Sequence, residues 1–189
     1  MLIELGEFRE AKLWADKALE RLPHEPELLA AKAVSLARTG DLKAALAFSD
    51  ASIEEHGNTP YVWLARGDVL LARKEKLAQF SFDKAFLLAP TDWVITWLAS
   101  RIHFFYEKIS LALKLAQRAL SINTDKSVIW LQIGHCQLAL GLAGMAVHSF
   151  EQSLELDPRS MEAEKALLRI SQLSFWSRLS SYWQQLFHQ

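Results

Sequence analysis

Small side chains return along this chain at a nearly constant spacing, and that recurrence narrows the folds open to it. Ala11, Ala45, Ala78, Ala112 and Ala146 are separated by 34, 33, 34 and 34 residues. Seven residues after each comes another small one: Ala18, Ser52, Ala85, Ala119 and Ser153. Five further on stand Pro23, Gly57, Pro90, Thr124 and Pro158, mostly helix stoppers. A separate series, Ala33, Gly67, Ser100 and Gly134, opens the other half of each unit. Columns that agree in phase define an internal repeat. Where helices cross at an axial distance of roughly 8–10 Å, the residue at the crossing must be small. Each unit therefore reads as a helix of about a dozen residues, a short turn, and a second helix ended by Pro or Gly. Gly6, Gly40 and Gly141 mark the inner turn. In the third unit the turn is RKEK (73–76), one residue shorter, which accounts for the single spacing of 33.

The composition agrees with a folded helical chain. Of the 189 residues, 51% are apolar and 23% charged, the balance of a globular protein. Lys plus Arg number 21 and Asp plus Glu 22, a formal net charge of −1. Nucleic-acid binding draws on clustered positive charge, so this balance argues against such a partner. Cys136 is the only cysteine, which leaves no intrachain disulfide and no site built on several thiolates. The N-terminal MLIELGEFRE does not read as a secretory signal, and no run approaches the ~18 apolar residues of a spanning helix. A cytoplasmic location is the expectation.

The unit SVIWLQIGHCQLALGLAGMAVHSFEQSLELDP (127–158) resembles the tetratricopeptide repeat. Trp130, Ile133, Gly134, Gly141, Ala146, Phe150, Leu154 and Pro158 fall where that family's W-x2-L-G … A-x3-F … P pattern has them. Trp63, Gly67, Ala78, Phe82, Ala85 and Pro90 match next best. The unit near 93–126 departs, with Thr96 for the Trp, Glu107 at the turn and Asn123-Thr124 at its end. The resemblance covers about residues 1–173. It implies an all-α, right-handed superhelical solenoid of antiparallel helix pairs. There would be four complete repeats (26–59, 60–92, 93–126 and 127–160), a partial repeat before them (1–25), and a capping helix (161–173) that opens a C-terminal pair. Such proteins line a concave groove with the first helix of each pair.

Once the packing face of each first helix is fixed, the groove-facing residues follow from the helical period. Tyr61, Leu64, Asp68 and Leu71 come from one unit, Trp97, Arg101, Phe104 and Phe105 from the next, and Leu131, His135 and Leu138 from the one after. Aromatic and Arg side chains among aliphatic ones are the usual material of binding hot spots. A protein or peptide ligand, as an apolar helix or extended segment, fits this wall. Family members that clamp a terminal carboxylate hold it with Asn and Lys or Arg side chains in the groove, the Asn following the first small residue of a unit. Here the matching positions are Val34, Asp68, Arg101 and His135, so no such clamp is expected.

No nucleophile–base pairing motif, phosphate loop or metal-spaced His/Cys cluster occurs, so no catalytic, cofactor or metal site is expected and the chain reads as non-enzymatic. His103 falls on a packing face, and Cys136 beside Gly134 reads as a small buried hydrophobe. The chain opens inside a repeat, with Met1 to Leu5 as the end of a first helix, which suggests a piece of a longer protein or, as the alternative, a native half-repeat whose open edge touches something else.

Residues 174–189 stand apart. In FWSRLSSYWQQLF, Phe175, Trp176, Leu179, Tyr182, Trp183, Leu186 and Phe187 form one helical stripe. Strict continuation of the repeat would put Ser180 in the slot held by Ala146 and turn the stripe away from the stack. A turn shortened by one residue turns it inward and puts Leu179 there. The segment reads as an amphipathic docking helix. It would cap its own stack or, as the alternative, join copies as a homo-oligomer, with the open N-terminal edge offering a second route to self-association. A membrane-surface adaptor is a third reading, disfavoured because the stretch has one Arg and no Lys.

Overall fold

The computed structural model describes residues 2, 3 and 5–172. Phe175, Trp176, Leu179, Tyr182, Trp183, Leu186 and Phe187 lie outside the described residues. The described chain is all-α: no strand occurs within it. In chain order the helices are α1 (Phe8–Leu19), α2 (Pro26–Thr39), α3 (Leu42–Glu54), α4 (Pro60–Ala72) and α5 (Ala78–Leu88). They continue with α6 (Trp93–Phe105), α7 (Ile109–Ile122), α8 (Ser127–Ala139) and α9 (Ala143–Leu156). A tenth helical stretch, α10, occupies 161–172. The chain divides into two compact units, Met1–Ile102 and His103–Gln189.

In the first unit α1 packs on α2, α2 on α3, and α4 on α5, while α2 also meets α4. In the second, α8 packs on both α7 and α9. The small columns lie at these contacts. Ala45, Ala78, Ala112 and Ala146 are no more than 3% exposed, and Ala33, Ser52, Ala85, Ser100, Ala119 and Ser153 are sealed. In two pairs the second-helix hydroxyl also ties its helix to the start of the first. Ser52 donates to the Pro26 carbonyl at 2.8 Å, and Ser153 to the Ser127 carbonyl at 3.0 Å.

Size is matched across each pair. A Cβ added at Gly67 would lie 2.8 Å from the Phe82 ring, and one at Gly134 would lie 2.6 Å from the Phe150 ring. Both rings are buried. Where the first helix instead carries Ala33 or Ser100, the position matching Phe150 holds Ser49 or Ala116. A large residue on the second helix thus goes with no side chain on the first, as a close-packed interior requires.

The inner turns share one hydrogen-bond pattern, two N–H groups reaching back over three and five residues, the Schellman arrangement. After α2, Gly40 donates to Ala37 and Asp41 to Leu36 (3.3 and 3.0 Å). The same pair of bonds follows Gly6, Lys74, Glu107 and Gly141, and all five residues have positive φ. Lys74 and Glu107 hold a conformation that costs an L-residue roughly 1–2 kcal/mol. The residue missing from RKEK is lost after this turn. As a result α5 begins at Ala78 itself, whereas α3, α7 and α9 begin three residues before Ala45, Ala112 and Ala146.

Helix starts are capped by local chemistry. Thr59 Oγ1 accepts from the Val62 N–H and Asp41 Oδ1 from that of Ala44, and Pro26 and Pro60 occupy first-turn positions where no N–H is needed. Residues 2, 3, 5 and 6 lie in turns, and Ile3 packs against the Ala30, Val34, Val62 and Ala65 cluster. Asp16 on α1 pairs with Lys32 on α2 at 2.8 Å and with Lys12 at 3.6 Å. Partial burial opposes ionisation of Asp16, but the hydrogen bond and charge of Lys32, aided by Lys12, outweigh it and hold the carboxyl below its ordinary range.

Candidate functional site on the first helices

The residues expected to line a groove do not share one environment. In the first unit Leu64 and Asp68 are buried at 1% exposure, and Tyr61, Leu71, Trp97 and Arg101 are half-buried. In the second unit Leu131 is buried, Phe104, His135 and Leu138 are half-buried, and Phe105 is exposed. Leu64 and Leu131 occupy the same repeat position, 67 residues apart. Leu131 belongs to a core cluster with Ala146, Phe150, Ala163 and Ala166, with Leu138 packed at its edge.

Asp68 is held by Arg38. The guanidinium Nη2 stands 2.6 Å from Oδ2, and Nε lies 3.1 and 3.2 Å from the two carboxylate oxygens. Both side chains are buried, at 5% and 2% exposure, and the Phe8 ring lies 5.8 Å from the guanidinium carbon. The bond joins the first helices of adjacent repeats, α2 and α4. Such forked pairing supplies direction as well as charge. Its sequence signal is a separation of 30, one helical turn short of the repeat.

α6 carries the aromatic part of the surface. Trp97, Arg101 and Phe104 fall at i, i+4 and i+7, one stripe of a helix. Arg101 lies over the Trp97 ring at 5.3 Å, and Trp93 packs beside it at 6.4 Å. A cation over a partly exposed indole holds the ring's orientation.

The second unit places Phe104, His135 and Glu162, from α6, α8 and α10, in succession. The Phe104 and His135 rings are 6.4 Å apart, and His135 Nε2 is 3.1 Å from a Glu162 oxygen. His135 also stands edge-on to Phe150 at 5.2 Å. Aromatic contacts on two sides and a carboxylate on a third orient the imidazole. Glu162 stands 27 residues after His135, two helical turns short of the repeat.

Other expected positions can be placed as well. His103 is buried at 3% exposure. Cys136 is buried, with the Gln132 amide nitrogen 3.6 Å from its sulfur. Among the described residues no group of three His, Cys, Asp or Glu is arranged to hold a metal ion, and no helix is long and apolar enough to cross a membrane. A depression of about 580 Å³ lies beside the Gly6 turn and the end of α2, and none of the expected groove residues lines it.

Known proteins resemble both the sequence and this architecture. Residues 128–160 match the family model for the tetratricopeptide repeat, which is the unit containing Gly134 and Phe150. That stretch is a tetratricopeptide repeat. The CTR9 homolog of Arabidopsis thaliana is 32% identical over 110 residues, which cover 57% of the chain but only 10% of that relative. Among solved structures, the thermophilic tetratricopeptide-repeat protein TTC0263 of Thermus thermophilus aligns with a TM-score of 0.70 at 16% identity, covering 89% of this chain and 93% of that one. The first tetratricopeptide-repeat domain of Spaghetti (RPAP3), bound to the HSP90 peptide SRMEEVD, aligns at 0.53 and 23% identity over 61% and 92%. At these identities the solved structures establish the fold. Stacked repeats of this kind present extended surfaces suited to binding other chains.

Proposed function

We propose that the chain is a non-enzymatic protein-interaction scaffold whose first helices bind an apolar peptide or helix. The observation that carries this reading is the α6 stripe, a half-buried Trp97 oriented by Arg101 and followed by Phe104 and Phe105. Partly exposed aromatic and Arg side chains bordered by sealed aliphatic ones are where binding energy concentrates. Tyr61, Leu71, His135 and Leu138 add further accessible surface within their own units. Leu64 and Asp68 in the first unit and Leu131 in the second are buried and add none.

The repeat domain of Spaghetti engages a peptide ending in Glu-Val-Asp. Here the chemistry points to a different ligand. Asp68 is neutralised by Arg38, and His135 already faces Glu162, so the wall offers little to an acidic terminus. A ligand with aromatic or aliphatic anchors at helical spacing suits it better.

Panning a displayed-peptide library on the full chain tests this reading. The expected ligands carry two or three apolar anchors, and Trp97→Ala and Phe104→Ala each weaken them about tenfold or more while helicity is kept. Enrichment of acid-terminated peptides, or binding that survives both substitutions, refutes it.

A further inference from the structure

α10 presents an apolar face to solvent. Met161 is 68% exposed and Leu168 is 55% exposed. These residues stand 34 positions after Ser127 and Gly134. On α8 those two positions meet α9: the Ser127 carbonyl accepts from Ser153, and Gly134 lies beneath the Phe150 ring. The Met161–Leu168 face is therefore the one that, in a complete pair, receives a second helix.

The chain continues directly from α10 for 17 residues, 173–189, and includes the aromatic stripe. α5 supplies a register for that continuation. Its buried positions are Ala78, Ser81, Phe82 and Ala85. Adding 101 to each gives Leu179, Tyr182, Trp183 and Leu186, all four members of the stripe. The strict repeat, counted from α9, gives no such coincidence, since it sets Ser180 against Ala146.

We propose that the exposed face of α10 is the docking site for residues 175–187 of the same chain, in the short-turn register of α5. Leu168 takes the place of Gly67 and Gly134, so the space that a Phe ring fills in those pairs is already occupied. The incoming helix stands further off, and Leu179 and Trp183, larger than the Ala78 and Phe82 they replace, fill the wider gap. Small-to-large exchange on both sides makes this pair a poor template for another repeat. It closes the stack instead of extending it.

Amide hydrogen exchange on the full chain tests the proposal, with sedimentation to fix the oligomeric state. Amides within 178–187 should exchange about a hundredfold or more slowly than an unstructured peptide, in a monomer and independently of concentration. Leu168→Asp, at an exposed position, should return them to unstructured rates while α8 and α9 keep their protection. Unprotected amides in the parent chain overturn the proposal, as does protection indifferent to Leu168→Asp. Protection that rises with dimer formation also overturns it, by making a second copy the occupant. Paired cysteines check the register: Leu168→Cys with Trp183→Cys should close an intrachain disulfide, whereas Leu168→Cys with Gln184→Cys should not.

Discussion

Gly134→Ala should change sign with its neighbour. In the parent protein the added methyl carbon would stand 2.6, 2.7 and 2.9 Å from three atoms of the Phe150 ring, nearly an ångström inside ordinary contact. The ring is fully buried, in a cluster with Leu131, Ala163 and Ala166 that leaves it nowhere to retreat. Overpacking of this kind costs about 1–3 kcal/mol. The better helix propensity of alanine returns up to ~1 kcal/mol. The net is a destabilisation of up to about 2 kcal/mol. Phe150→Ala alone should cost about 3–5 kcal/mol through the cavity it leaves. In that background the clash is gone, and Gly134→Ala should stabilise by about 1 kcal/mol. The coupling between the two positions is then the overpacking cost itself, about 1–3 kcal/mol, in the range for residues in contact. The double variant also recreates the small-on-small pairing that Ala33 and Ser49 already use. Urea unfolding followed by circular dichroism on the four proteins, with amide exchange in α8 and α9 as the local readout, measures the cycle. A Gly134→Ala effect of equal sign and size in both backgrounds refutes the packing argument.

Lys74→Gly and Glu107→Gly should each stabilise by about 0.5–1 kcal/mol, since they relieve a left-handed conformation at some cost in chain entropy, whereas Gly141→Ala should destabilise; thermal melts would show both. Asp68→Ala should cost about 3–5 kcal/mol by leaving the Arg38 charge buried, and replacing the pair together by Met and Leu should recover most of the loss in denaturant titrations. Asp16 has a folded pKa below its unfolded one, so the unfolded chain takes up the proton first as pH falls. Its contribution is full above the unfolded carboxylate range of about 4 and disappears as pH drops through the folded value. Asp16→Asn should therefore remove part of the acid-side loss of stability in a pH series of urea midpoints.

The spacing of small residues carried most of the fold because close helix approach leaves so few side chains to choose from. Ala45, Ala112 and Ala146 could be assigned to helix crossings from their spacing alone, and they are fully buried there. The match of Gly67 to Phe82 and of Gly134 to Phe150 was latent in the same columns, as a covariation of size across each pair. The environment of the first-helix surface was less legible. Helical period says which residues share a face, but not how far the next first helix covers that face. Leu131 packs against Ala163 and Ala166 of the next first helix and Leu64 is sealed, while Trp97 at the corresponding place is half-buried. The partner of Asp68 was hidden for a related reason. Adjacent first helices are offset, so the contact joins positions 30 apart and not one full repeat apart. The αL turns at Lys74 and Glu107 gave no compositional signal, since neither is Gly or Asn, and only the phase of the repeat locates them.

Cysteine accessibility tests the central claim most directly. Ala45→Cys, Ala112→Cys and Ala146→Cys each place a thiol on a small column, and Ala47→Cys and Ala143→Cys place one on exposed positions of the same type of helix. With the columns at helix crossings, native protein should react with a maleimide about a hundredfold more slowly at the first three than at the last two, and all five should react alike in urea. Equal rates in the native protein would contradict the account.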